Sequence, residues 1–424
     1  MQKLVINGGK RLSGTVEVSG AKNAALPILA ATILTDGKTR LNNVPAVADI
    51  DSMCRLLANL GVETEQARDS SHGLEVTIGE LSSLEAPYDL VRKMRASVIV
   101  LGPMLARYGQ ARVSMPGGCA IGERPINMHL SALAKMGADI SIDHGYVEAR
   151  AKQLTGAEIN LDYPTVGGTE NIICAASLAK GTTVIDNAAK EPEIVDLADF
   201  LSRAGARISG AGTHRIVIEG VKSLSGVEHT VMPDRIEAGT HAIGAAITGG
   251  EVKVARSNPE HLGVLLEKLS DAGCVVESMA GSFTVKGCGR PRAVNVTTRP
   301  YPGYPTDLQA QWLALMTLAE GASVVKETVF ERRFMHVQEL RRMGARITVD
   351  GDTAVVTGVE RLLGAPVMCT DIRASASLVL AGLAAANTTV ISRVYHLDRG
   401  YESIEEKLRA LGAEIVREEA EKIP

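Results

Sequence analysis

The stretch Glu170-Asn171-Ile172-Ile173-Cys174-Ala175-Ala176-Ser177-Leu178-Ala179-Lys180-Gly181-Thr182-Thr183-Val184-Ile185 reads as an alanine-rich helix over Glu170–Ala179, a glycine stop and a β-branched strand. Beyond it, Ile194, Leu197, Ala198 and Leu201 recur at helical spacing, and Gly205 closes that second helix. Strands are predicted over Ala206–Ile208 and Arg215–Ile218, with Val227–Met232 leading into the next copy. The whole phrase is a βαβαββ repeat. It is longer than a solenoid repeat and large enough to be a packed piece of a domain.

The same phrase returns along the chain. Its mark is the glycine after the second helix, at Gly61, Gly137, Gly205, Gly273, Gly344 and Gly412, spaced 68 to 76 residues apart. Six repeats in 424 residues predict an α/β protein of two domains with three repeats each. A ligand between the domains is then expected, since pockets are common there. The alternative is a purely architectural repeat. Charged residues and glycines at particular helix starts, where other repeats are apolar or neutral, argue against it.

Composition narrows the function. Hydrophobic residues make up 45% and charged residues 22%, as in a soluble globular protein. A net charge of −4 with 3% aromatics offers neither a phosphate-tracking surface nor stacking platforms, which argues against nucleic acid. No apolar run is long enough for a membrane span, and Met1-Gln2-Lys3-Leu4-Val5-Ile6-Asn7 turns polar too soon for a signal peptide, so a cytoplasmic protein is expected. Without a Walker or Rossmann motif, ATP and NAD have little support. The six cysteines form no C-x-x-C pair and no metal-spaced cluster with histidine, so neither disulfides, a metal nor a cofactor is expected.

Chemistry concentrates at a few positions. Ser114-Met115-Pro116-Gly117-Gly118-Cys119-Ala120-Ile121-Gly122-Glu123-Arg124-Pro125 places a thiol among glycines between the strand-like Arg112–Met115 and a helix starting near Pro125. The helix N-terminus and Arg124 would both favour thiolate at Cys119, suiting it to give and take a proton, whereas a small filler in a tight turn is the plain alternative. Lys22 and Asn23 open the first repeat's helix, where Lys22 either addresses an anion or is simply solvated. Arg95 and Arg373 hold the equivalent place in repeats two and six, and Asp371 is near enough to pair with Arg373. In repeat five, Thr306 or Asp307 is either an N-cap or a functional group. Polar loops around Arg333 and Arg399 complete a set of cations suited to a substrate with several phosphates and a carboxylate.

Taken together, Ala21-Lys22-Asn23-Ala24, the Cys119 loop through Arg124-Pro125, Pro305-Thr306-Asp307-Leu308-Gln309-Ala310-Gln311, Arg333-Phe334-Met335-His336-Val337, Asp371-Ile372-Arg373-Ala374-Ser375-Ala376 and Asp398-Arg399-Gly400-Tyr401 resemble the enolpyruvyl transferases over essentially the whole chain. The resemblance implies two inside-out α/β domains, each of three βαβαββ repeats. Residues 1–20 and 230–424 would form one, and residues 21–229, carrying the Cys119 loop, the other. The branch it points to joins phosphoenolpyruvate to the 3′-hydroxyl of UDP-N-acetylglucosamine in peptidoglycan synthesis, through a tetrahedral ketal. By the resemblance, Lys22, Arg124 and Arg399 hold phosphoenolpyruvate. Cys119 is the acid that protonates C3, the thiol that forms a pyruvate adduct and the target of fosfomycin, and its glycines let it swing over the substrate. Asp307 faces the attacking hydroxyl. Asn23, Arg95, Arg124, Pro125, Ile126, Asn127, Met128, Thr165, Val166, Gly167 and Val329 contact the nucleotide sugar, and Arg333, Asp371 and Arg373 complete the closed site. Tyr163 stands in a stretch where some members have a lysine near the uridine. A monomer or weak homo-oligomer is expected. The rivals are the shikimate-pathway branch, which lacks the cysteine loop, and a nucleotide-sugar-binding regulator without catalysis.

Overall fold

The computed structural model describes residues 2–68, 70, 72–92, 94–115, 126–330 and 332–419. They divide into two compact units. A terminal unit takes the chain up to Ser19 and from Pro233 on, and a central unit takes Gly20 to Met232 between.

The repeating glycines have a common physical cause. Each of the six has positive φ, between 93° and 111°, a conformation in which a Cβ is strained. The residue after each glycine then donates its N–H to the carbonyl of a leucine five positions earlier. The pairs are Val62 to Leu57, Ala138 to Leu133, Ala206 to Leu201, Cys274 to Leu269, Ala345 to Leu340 and Ala413 to Leu408, at 2.9 to 3.1 Å. This is the Schellman ending, and it satisfies carbonyls that the helix leaves open. All six leucines are fully buried, so one local motif both stops the outer helix and pins its end to the core.

The other helix of each repeat lies inside. In the terminal unit, helices Arg235–Thr248, Gln309–Met316 and Ile372–Ala384 are buried along almost their whole length and pack on one another. In the central unit, Lys22–Ala31, Leu101–Tyr108 and Val166–Ser177 fill the same role. Buried on nearly every side, they are core helices. Small residues let them approach closely: a Cβ on Gly102 would stand 2.4 Å from the carbonyl oxygen of Asn171. The second helices, such as Ala48–Leu60 and Pro192–Arg203, bury one face only.

Sheets cover the outside of each unit. In the third repeat, Glu158–Asn160 pairs parallel to Thr182–Asp186, which pairs antiparallel to Arg215–Glu219, and that strand to Arg207–Ser209. All six sheets among the described residues follow this order. The chain ends are shared out in a way the linear reading missed. Glu228–Thr230, within the stretch expected to lead into repeat four, instead pairs parallel to Thr35–Asn42 of repeat one. Repeat four takes its opening strand from Ser13–Glu17, paired to Glu251–Ala255, and repeat six its closing strand from Gln2–Asn7, paired to Glu414–Glu419. Each unit thereby closes on itself.

Candidate active site

In the terminal unit the starts of the inner helices carry a charge network. Asp307 lies in the turn Thr306–Leu308 that precedes helix Gln309–Met316. Pro305 and Leu308 hold the N-cap positions of the turn and of the helix, which removes the N-cap reading of Asp307. Instead Arg333 Nη2 holds Oδ1 at 2.7 Å, and Arg373 holds Oδ2 through Nη2 at 2.9 Å and Nε at 3.2 Å. Both arginines are buried while the carboxylate stays partly exposed, at 23%. Each oxygen is thus oriented by a buried cation. Burial opposes the charge on Arg373, but Asp307, then Tyr401 and Asp234, hold its pKa above the ordinary value.

Asp371 does not pair with the Arg373 guanidinium. Its Oδ1 caps helix Ile372–Ala384, accepting from the N–H groups of Arg373 at 2.9 Å and Ala374 at 3.0 Å. His336 lies nearby, and burial lowers its pKa to about 4 against the pull of Asp371. Val329 follows the strand Ala322–Lys326, with its N–H bonded to Glu327 Oε1 at 2.8 Å. Arg399 ends the turn Val394–Arg399, half-buried, and a Cβ on the next residue, Gly400, would come within 3.8 Å of Arg373 Nη1. The sequence-derived residues of this unit, Asp307, Val329, Arg333, Asp371, Arg373 and Arg399, therefore form one neighbourhood.

In the central unit Lys22 is buried, not solvated, and its ammonium donates to Asp49 Oδ2 at 3.1 Å. Helix Lys22–Ala31 has Ala21 at its N-cap and so no side-chain cap, with half-buried Asn23 beside Lys22. An uncapped helix start bearing a lysine suits an anion. A second grouping surrounds His129. Its Nδ1 meets Asn171 Nδ2 at 2.9 Å, and a Cβ on Gly167 would stand 3.3 Å from its Cε1. The Asn171 amide N–H can only donate, so Nδ1 accepts and the ring proton sits on Nε2. Burial, and then Arg95, lower its pKa to about 4. Ile126, Asn127 and Met128 lie at the start of the His129 helix and Thr165, Val166 and Gly167 at the start of helix Val166–Ser177, with Thr165 as its cap. His129 thus joins the two segments, with Arg95 close by. Tyr163 is 39% exposed.

Cys119, Arg124 and Pro125 lie outside the described residues. The partners Asp49 and Asn171 carry no sequence signal, because each is far along the chain from the side chain it holds, and Glu327 reaches Thr298 and Thr306 across 29 and 21 residues. A cavity of about 410 Å³ beside Asp196, Arg203 and His229 contains none of the candidate residues. Among the described residues no group of side chains is arranged to hold a metal, and no helix is long and apolar enough to cross a membrane.

Three-fold repeats closing two units around buried helices, with cations and carboxylates at the helix starts, define a class. The family described as EPSP synthase (3-phosphoshikimate 1-carboxyvinyltransferase) matches residues 6–408, and the chain belongs to this family of enolpyruvyl transferases. Within it, the chain is 60% identical over 417 residues to the UDP-N-acetylglucosamine 1-carboxyvinyltransferase of Geobacter metallireducens, spanning 98% of this chain and 99% of that protein. The enzyme of the same name from Myxococcus xanthus is 56% identical over 420 residues, 99% of this chain and all of that one. Among solved structures, the enolpyruvyl transferase NikO from Streptomyces tendae matches with a TM-score of 0.88 at 27% identity over 99% of both chains. EPSP synthase from Acinetobacter baumannii shares the fold, with a TM-score of 0.76 at 20% identity, covering 99% of this chain and 100% of that one.

Proposed function

We propose that the chain transfers the enolpyruvyl group of phosphoenolpyruvate to the 3′-hydroxyl of UDP-N-acetylglucosamine and releases phosphate, the entry step of peptidoglycan synthesis in the cytoplasm. The observation that carries this is the 60% identity, end to end, with an enzyme named for that transfer. The shikimate branch has weaker support, at 20% identity to a solved member.

The chemistry runs in two halves. The sugar hydroxyl adds through oxygen to C2 of phosphoenolpyruvate while C3 gains a proton, giving a tetrahedral ketal. C3 then loses a proton, the bond from C2 to the phosphate oxygen breaks, and phosphate leaves. Asp307 takes the hydroxyl proton, a role compatible with a carboxylate oriented on both oxygens and still partly exposed. Cys119 gives the proton to C3, and its thiol is the group that fosfomycin alkylates and that forms the pyruvate adduct. Lys22, Arg124 and Arg399 bind the phosphate and carboxylate of phosphoenolpyruvate. The ammonium of Lys22 is held in place by Asp49. Asn23, Arg95, Arg124, Pro125, Ile126, Asn127, Met128, Thr165, Val166, Gly167 and Val329 serve the nucleotide sugar, and Arg333, Asp371 and Arg373 complete the closed site. Domain boundaries near residues 20 and 230 belong to the same reading.

The test is the product. Incubated with both substrates, the protein should yield the enolpyruvyl ether of the nucleotide sugar, identified by mass spectrometry. Formation of the ether only on shikimate 3-phosphate would reverse the assignment.

A further inference from the structure

Strand Ala322–Lys326 leads straight into Glu327, which is buried. Its carboxylate receives four hydrogen bonds. Oε1 accepts from Thr298 Oγ1 at 2.8 Å, from Val329 N–H at 2.8 Å and from Phe330 N–H at 3.1 Å, while Oε2 accepts from Thr306 Oγ1 at 2.8 Å. Every contact is with a donor. The side chain acts purely as an acceptor, as an ionised carboxylate does.

The direction of the Thr306 bond follows from its other partner. Arg333 Nη1 donates to Thr306 Oγ1 at 2.8 Å, and a guanidinium has no acceptor to offer in return. The single hydroxyl proton of Thr306 must therefore point at Glu327. Thr298 is fixed in the same way, since its Oγ1 accepts from Thr328 N–H at 2.9 Å. A polarised chain runs from Glu327 through Thr306 to Arg333 and on to Asp307 Oδ1.

We propose that Glu327 is a positioning residue that sets two parts of the acceptor side at once, the turn at Val329 and the aim of Arg333 on Asp307. The proposal rests on the reading of Asp307 and Val329 given above. One buried carboxylate makes the two move together. A loop anchor with no part in catalysis would hold only the turn.

Substitutions separate these roles. In Glu327→Gln the amide oxygen can keep the three bonds at Oε1, but the NH2 group meets Thr306 Oγ1 and leaves its proton without an acceptor. The turn survives and the link to Arg333 is disturbed. Turnover should fall about 10–100-fold, the usual worth of a hydrogen bond to a charged group, while KM for UDP-N-acetylglucosamine changes far less. Thr306→Val cuts the same link from the other side and should lose kcat to a similar extent, and Thr306→Ser should recover most of that loss. The double variant Glu327→Gln/Thr306→Val should be little worse than either single one, because both break one chain.

Steady-state kinetics and thermal unfolding of all four variants, beside the unaltered chain, test this. Full turnover in both Glu327→Gln and Thr306→Val, multiplying losses in the double variant, or losses that follow the melting temperature alone would overturn the positioning role. An unaltered chain that makes no enolpyruvyl ether would instead overturn the functional reading, and the proposal with it.

Discussion

Two of the inner helices start in opposite ways. Ile372–Ala384 is capped by the carboxylate of Asp371, so the chain's own anion sits at its N-terminus. Lys22–Ala31 has no side-chain cap and begins with a lysine held by buried Asp49. Both ends come from the same repeat. The difference teaches that the repeat fixes where a helix starts, while one or two residues decide whether that start is closed by the protein or suited to a substrate anion.

The largest effects should come from removing the groups proposed to move protons. Asp307→Asn should lower turnover by about 10²–10⁴-fold, the range for a positioned base, with nucleotide-sugar binding retained in calorimetry. Cys119→Ser should fall in the same range without loss of the fold. Undiminished turnover in either would return that residue to a structural role.

The buried pair offers a stability contrast. Lys22→Met removes the cation that donates to buried Asp49 and should cost up to about 3–5 kcal/mol of unfolding free energy, read by denaturant titration. Adding Asp49→Leu should restore most of that stability without restoring activity. If the single variant is as stable as the unaltered chain, the pair does not hold the helix start.

Acid should act on both units together. His129 in the central unit and His336 in the terminal unit both have pKa values lowered by burial to about 4 from an ordinary 6.5. The unfolded chain takes up their protons first as pH falls. Stability therefore drops between pH 6.5 and about 4, by up to about 1.4 kcal/mol per pH unit for each histidine. His129→Gln should flatten that slope, as measured by unfolding at several pH values, and an unchanged slope would refute the neutral, buried state of His129.

The smallest effect has the opposite sign. Burial, then Glu193 and Glu191, raise the Glu170 pKa to about 8, so its folded form stays protonated while the unfolded form ionises above 4.5. Stability falls as pH rises from 4.5 to 8. Glu170→Gln should remove that trend and stabilise the protein at pH 7 by up to about 3 kcal/mol. A destabilised variant would show that the carboxyl is needed there.

Much of the fold was legible because its signals are local. A glycine at positive φ and a leucine four residues before it make the same helix ending six times, and spacing alone reveals it. Small-residue inner helices and β-branched strands are equally visible. The strand exchanges were not, since Gln2–Asn7 and Glu414–Glu419 meet across nearly the whole chain. The candidate site divides in the same way. Lys22, Asp307 and Arg373 stand out as charges at helix starts, yet which acid holds which base depends on tertiary packing. Asp307 had a local explanation as an N-cap and did not take it; the arginines that hold it are 26 and 66 residues away. Glu327 had none at all.

The most direct measurement is phosphate release from phosphoenolpyruvate with either UDP-N-acetylglucosamine or shikimate 3-phosphate as acceptor, before and after treatment with fosfomycin. The account predicts release only with the nucleotide sugar, abolished by the drug through Cys119. Release with shikimate 3-phosphate, or no release with either acceptor from folded protein that still binds the nucleotide sugar, would contradict it.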